Sequence, residues 1–130
     1  MSRVITHGVD LVDVSRIRRS IEQHADRFVE RCFTQAEADY CRSARPPRDV
    51  ERFAARFAAK EAALKALGTG WTDGIAWTDV EVVLAPSGAP SIRLSGKALE
   101  VAGSLGVAEL LVSLSHTPTH AMASVIAVGA

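Results

Sequence analysis

Val50-Glu51-Arg52-Phe53-Ala54-Ala55-Arg56-Phe57-Ala58-Ala59-Lys60-Glu61-Ala62-Ala63-Leu64-Lys65-Ala66-Leu67 is rich in alanine and long unbranched side chains, which lose least on entering a helix, and it predicts one. At about 100° per residue, Glu61 falls about 40° from Phe57 and about 60° from Leu64, on the apolar side of that helix. A carboxylate pressed towards a core needs a cation or several donors to replace lost water. Lys65, one turn on, is one candidate and a metal is the other.

Outward from this helix the chain alternates short elements without repeats or a linker. Val4 to Val14 has strand composition, with Ile5, Val9 and Leu11 on one face and Asp10 on the other. A helix follows from Ser15, its inward stripe at Ile17 and Ile21, and continues or restarts towards Phe28 and Val29. Thr34-Gln35-Ala36-Glu37 fits a capping box opening a helix to about Ser43. Arg45-Pro46-Pro47-Arg48 breaks it, Asp49 is placed to cap the long helix, and Gly68-Thr69-Gly70 ends that helix. Strands are expected near Ala76 to Leu84, Ser91 to Leu94, Glu109 to Ser115 and Ala121 to Val128, with turns at Pro86-Ser87-Gly88 and Thr117-Pro118-Thr119 and a helix from Lys97 to Leu105. The order βαααββαββ implies an α+β fold, with helices packed on an antiparallel sheet.

With 130 residues the chain suits a single domain over 1–130. Its composition, 48% apolar and 23% charged, is that of a soluble globular protein. No stretch reaches the length of a membrane span, and the first twenty residues lack a basic start followed by an apolar block, so a cytoplasmic protein is expected. Cys32 and Cys41 have no histidine at ligand spacing and are expected to be free thiols. Net charge is zero, yet eleven of the fifteen Lys and Arg residues lie at or before Arg56. The run from Arg16 to Arg31 reads either as a solvated helix face with internal ion pairs or as a docking surface for an acidic partner. Nucleic acid is disfavoured, because aromatics are scarce and no basic run appears.

Three segments can carry chemistry, and each also has a plainer structural reading. Asp10 in Gly8-Val9-Asp10 can simply accept hydrogen bonds at a strand end. Glu61 and Lys65 can form an ordinary i,i+4 pair. His116, in Ser113-Leu114-Ser115-His116, can be a structural histidine bonded to backbone.

Together the segments resemble one family. Gly8-Val9-Asp10-Leu11-Val12, Arg56-Phe57-Ala58-Ala59-Lys60-Glu61-Ala62 leading into Lys65-Ala66-Leu67-Gly68-Thr69-Gly70, and Ser113-Leu114-Ser115-His116 look like the signatures of the holo-[acyl-carrier-protein] synthase family, the small 4′-phosphopantetheinyl transferases. Phe33-Thr34-Gln35-Ala36-Glu37 and Trp77-Thr78-Asp79-Val80-Glu81-Val82 fit the same pattern, so the resemblance spans essentially the whole chain. Thr6, in place of a usual glycine, His7, in place of an aliphatic residue, and His120, at a commonly aromatic position, depart from it.

The resemblance implies the 4′-phosphopantetheinyl transferase fold and transfer of the phosphopantetheine arm of coenzyme A to a serine of apo acyl carrier protein for fatty-acid biosynthesis, with release of adenosine 3′,5′-bisphosphate. It implies Mg2+ held by Asp10 and Glu61, a hard cation that takes one or two carboxylates plus substrate phosphate. Asp10, Glu61 and Lys65 become the catalytic set: Glu61 or a metal-bound water activates the carrier serine, and Lys65 stabilises or protonates the leaving phosphate. Coenzyme A binding falls to Arg56, Lys60, Lys65, Gly68, Thr69, Gly70 and His116, with Arg56 and His116 at the 3′-phosphate. Lys60 is expected to contact phosphate or the attacking serine. Arg16, Arg27 and Arg31 match docking positions for the acidic carrier protein, and a homotrimer with sites at subunit boundaries is implied. A catalytically silent module binding coenzyme A or a carrier, and a metal-dependent phosphohydrolase, are the alternatives from other functional classes.

Overall fold

A computed structural model describes residues 3–71 and 74–130. Strand β1 (Arg3–Asp13) leads into α1 (Val14–Cys32), which is two helical segments meeting at Ala25, whose φ of 45° and ψ of −126° interrupt the helix. Helix α2 (Gln35–Arg42) opens with the expected capping box: Thr34 accepts from the Glu37 N–H while the Glu37 carboxylate accepts from the Thr34 N–H. Helix α3 (Arg48–Leu67) follows and ends at Gly68, whose φ of 76° is the left-handed conformation that glycine adopts without steric cost. Then come a single 3-10 turn at Trp77–Asp79, the hairpin β2 (Val80–Leu84) and β3 (Pro90–Leu94), helix α4 (Gly96–Ser104), and the long strands β4 (Val107–His116) and β5 (His120–Gly129). The α+β architecture is as expected.

Two local expectations are corrected. Pro47, not Asp49, stands at the N-cap of α3, and no side chain caps that end. Asp49 lies in the first turn, where its charge, with that of Glu51, still complements the helix dipole. The strand expected from Ala76 begins only at Val80, because the chain first makes its 3-10 turn, held by the Asp79 carboxylate accepting from the Ala76 N–H at 3.1 Å.

Helix α3 is the centre of the molecule. One antiparallel sheet, in the order β1-β5-β4, lies across it, and the β2–β3 hairpin forms a second. The alanines explain how the helix can be buried on almost every side: Ala54, Ala58, Ala59, Ala62 and Ala63 are all fully buried. Strand β5 matches them with small inward residues, Ala121, Ala123, Val125 and Ala127. The closest approach is at Gly8, where a Cβ atom would lie 2.2 Å from the Ala62 carbonyl oxygen, well inside van der Waals contact. Any larger residue would push β1 off α3.

The alternation in β1 is therefore the reverse of a simple apolar-in pattern. Gly8, Asp10 and Val12 turn towards α3, whereas Val9 and Leu11 are 50% and 65% exposed on the outer face. Met122 on β5 and Leu111 on β4 are exposed as well. Antiparallel register pairs Leu11 with Met122, and Leu111 with Ile126. No helix among the described residues is long and apolar enough to cross a membrane.

Candidate active site

The crossing of β1 over α3 assembles the first group of candidate residues. The Thr6 hydroxyl donates to the Ala66 carbonyl, Gly8 lies over Ala62, and Asp10 follows on the same face of β1. The Lys65 ammonium donates to Asp10 Oδ1 and to the Val9 carbonyl, both at 3.0 Å. Lys65 thus pairs with Asp10 across the chain rather than with Glu61 along the helix. Glu61, one turn before Lys65, is half-buried, and its carboxylate makes no hydrogen bond among the described residues. Gly68, Thr69 and Gly70 run on from the same end of α3; a Cβ at either glycine would meet nothing within 4 Å, so this backbone lies open.

The donor set here suits a hard cation. Asp10 already holds the Lys65 ammonium at 3.0 Å, and Glu61, one turn before Lys65 on α3, adds a second carboxylate without a hydrogen-bond partner among the described residues. No group of three or more His, Cys, Asp or Glu side chains among the described residues forms a metal cage. Carboxylate oxygens without a thiolate or imidazole partner fit magnesium better than zinc.

Arg56 and His116 form a second group on another side of α3. Glu61 lies five positions after Arg56, about 140° around the helix, so the two side chains diverge. The Arg56 guanidinium lies 4.4 Å from the centre of the Tyr40 ring, and Arg52 lies 4.3 Å from the same ring. His116 Nδ1 is 2.9 Å from Glu51 Oε1. Tyr40, Arg56, Gly88, Ser113 and His116 line one cavity of about 280 Å³.

The third group lies along α1. Arg16, Arg27 and Arg31 border a groove of about 440 Å³ floored by Phe28, Cys32, Phe57 and Trp77. The Arg16 guanidinium stands 5.3 Å over the Phe57 ring, and Phe57 stacks on Trp77 with centroids 4.8 Å apart. Because Phe57 is one helical turn before Glu61, the basic groove adjoins the carboxylate.

Lys60 requires correction. It is completely buried, and its ammonium donates to Glu37 Oε1 at 2.8 Å, to the Trp77 carbonyl at 3.1 Å, and to the Val80 carbonyl. All three donors are engaged inside the fold, so in this conformation Lys60 does not reach phosphate or a carrier serine. Glu37 completes the network by accepting from the Val82 N–H at 2.8 Å. Burial pushes the Lys60 ammonium below its ordinary pKa, and the Glu37 charge opposes that shift.

Both cysteines are free and buried. Burial raises the Cys41 thiol to about 12 and raises Cys32 as well, which leaves neither poised as a thiolate ligand or nucleophile. Sequence reading missed Glu51, Tyr40 and the pairing role of Glu37. Only Glu37 had a local signal, its capping box, because the partners of all three lie far away along the chain.

Comparison with known proteins matches this arrangement to one family. The sequence profile of the 4′-phosphopantetheinyl transferase superfamily matches residues 6–123. The chain belongs to that superfamily. It is 50% identical over 123 residues to a holo-[acyl-carrier-protein] synthase from Koribacter versatilis, covering 95% of this chain and 97% of that relative. Among solved structures, the holo-ACP-synthase of Plasmodium yoelii superposes with a TM-score of 0.85 at 26% identity, covering 100% of this chain and 98% of the other. The Helicobacter pylori holo-[acyl-carrier-protein] synthase in complex with coenzyme A gives 0.81 at 30% identity, covering 93% and 98%.

Proposed function

We propose that this phosphopantetheinyl transferase is a magnesium-dependent holo-[acyl-carrier-protein] synthase. It moves the 4′-phosphopantetheine arm of coenzyme A onto a serine of apo acyl carrier protein in the cytoplasm, for fatty-acid biosynthesis. The observation that carries the reading is the juxtaposition of Asp10, Lys65 and Glu61 where β1 crosses α3, in a chain so similar to synthases of that name.

The reaction joins the carrier serine oxygen to the phosphorus that bears the arm and breaks that phosphorus's bond to the bridging oxygen, so adenosine 3′,5′-bisphosphate departs. Magnesium held by Asp10 and Glu61 would neutralise pyrophosphate charge. Glu61, free of hydrogen bonds among the described residues, takes the serine proton directly or through a water. Lys65 is over half exposed, and its ammonium is placed to donate to the departing phosphate. The open backbone of Gly68, Thr69 and Gly70 lets the nucleotide approach closely, and Arg56 and His116 receive the 3′-phosphate, arginine through a planar fork suited to two bonds. Arg16, Arg27 and Arg31 dock the acidic carrier beside Glu61.

One copy divides these residues between two sides of α3, and the exposed face of Val9, Leu11, Leu111 and Met122 offers a surface for self-association. Both features support a homotrimer whose sites form at subunit boundaries, with Asp10, Glu61 and Lys65 from one copy and Arg56 and His116 from the next. Intact-mass spectrometry of apo acyl carrier protein incubated with this protein, coenzyme A and magnesium tests the proposal. A gain of one phosphopantetheine arm, lost with a chelator, is the expected result. No gain, with a folded protein and a competent carrier, refutes it.

A further inference from the structure

His116 is exposed at the end of β4, where a free imidazole would sample several rotamers, yet its Nδ1 lies 2.9 Å from Glu51 Oε1. Glu51 is only 8% exposed. A carboxylate withdrawn from water to this extent needs compensation. It has two sources: its place in the first turn of α3, where the helix dipole favours negative charge, and the hydrogen bond from His116. An ionised carboxylate only accepts, so the ring donates from Nδ1, which fixes its plane. Nε2 makes no hydrogen bond to the protein among the described residues, and the ring lines the same cavity as Arg56.

We propose that Glu51 is a positioning residue that holds the His116 ring with Nε2 available to a phosphate monoester in the Arg56 cavity, and so sets the preference for coenzyme A over its 3′-dephosphorylated form. The inference rests on the reading that Arg56 and His116 receive the 3′-phosphate. A ring that donates from Nδ1 to the Glu51 carboxylate and from Nε2 to a phosphate bridges two anions, and the carboxylate fixes its plane as carboxylates do for imidazoles at metal sites. Glu51 itself touches no substrate. Arg56 and Glu51 act from the same helix, so α3 supplies one direct phosphate contact and the support for a second.

The experiment compares KM for coenzyme A and for 3′-dephospho-coenzyme A, with apo acyl carrier protein saturating, in the assembled enzyme. Glu51→Gln keeps the size of the side chain and an accepting oxygen but removes the charge. It is expected to raise KM for coenzyme A about five- to tenfold, the scale of one ordinary hydrogen bond, with kcat and KM for the dephosphorylated substrate changing less than about twofold. In a His116→Ala background the same substitution is expected to have no further effect. Equal rises in both KM values, or none, would overturn the role of Glu51, as would a full effect persisting without His116. Arg56→Ala separates this failure from a deeper one. If it erases the preference while Glu51→Gln does not, the positioning role alone falls; if neither alters the preference, the 3′-phosphate reading falls with it.

Discussion

Glu61 is half-buried on the face of α3 that it shares with Phe57 and Leu64, and the role proposed for it depends on charge rather than on shape. Glu61→Gln keeps the size of the side chain while removing both the ligand charge and the capacity to take a proton. Turnover is expected to fall by at least about a hundredfold, the scale of a lost general base, with circular dichroism and oligomeric state unchanged. Full activity in this variant would remove Glu61 from the chemistry. Lys60, its neighbour, gives the opposite pattern. Removing one partner of the buried Lys60–Glu37 pair strands a charge, so Glu37→Gln and Lys60→Met should each cost about 3–5 kcal/mol, and the double replacement by apolar residues much less. Urea unfolding at one fixed protein concentration measures this, since assembly adds concentration-dependent stability. Additive losses would mean that the two side chains are not energetically coupled.

At the scale of elements, the order of elements along the chain and most helix ends were legible because each has a local cause: alanine content, a capping box, a glycine stop. The face that β1 would bury was not legible. Alternation put Val9 and Leu11 on one face and Asp10 on the other without saying which meets the core; Gly8, on the side of Asp10, fits the backbone of α3, and this close approach turns Asp10 inward. The partners of Lys60 and His116 were hidden for a related reason, since Glu37 and Glu51 lie 23 and 65 positions away. Helix α1 was read as either a solvated face or a dock, and the structure places Arg16, Arg27 and Arg31 around one aromatic-floored groove. Exposed arginines act through long-range charge, which salt screens over about 8–10 Å. Raising salt should therefore raise KM for the carrier protein more than KM for coenzyme A, and Arg27→Glu should raise carrier KM at least about tenfold at low salt. Equal salt sensitivity of the two KM values would argue against this groove as the docking face.

For the whole molecule, the decisive relation is between the divided candidate site and the uncovered sheet face. In one copy, Glu61 and Arg56 diverge by about 140° around α3, and Arg56 lines a cavity with His116 that does not include Glu61. The proposed homotrimer would set the Arg56 side of one molecule against the Glu61 side of its neighbour and cover the apolar outer face of β1, β5 and β4. Leu11→Glu, on that face and 65% exposed in the single copy, should then yield folded monomers without transferase activity by light scattering and mass spectrometry. Active monomers would defeat the shared site. A mixing experiment probes the same point without disturbing the interface. Glu61→Gln chains retain the Arg56 side and Arg56→Ala chains retain the Glu61 side, so each homotrimer is impaired at every boundary. Random co-assembly makes about one boundary in four intact, and activity should recover to about that fraction of the native value after co-expression. If every site lay within one chain, mixing would rescue nothing, and activity would remain at the average of the two parents.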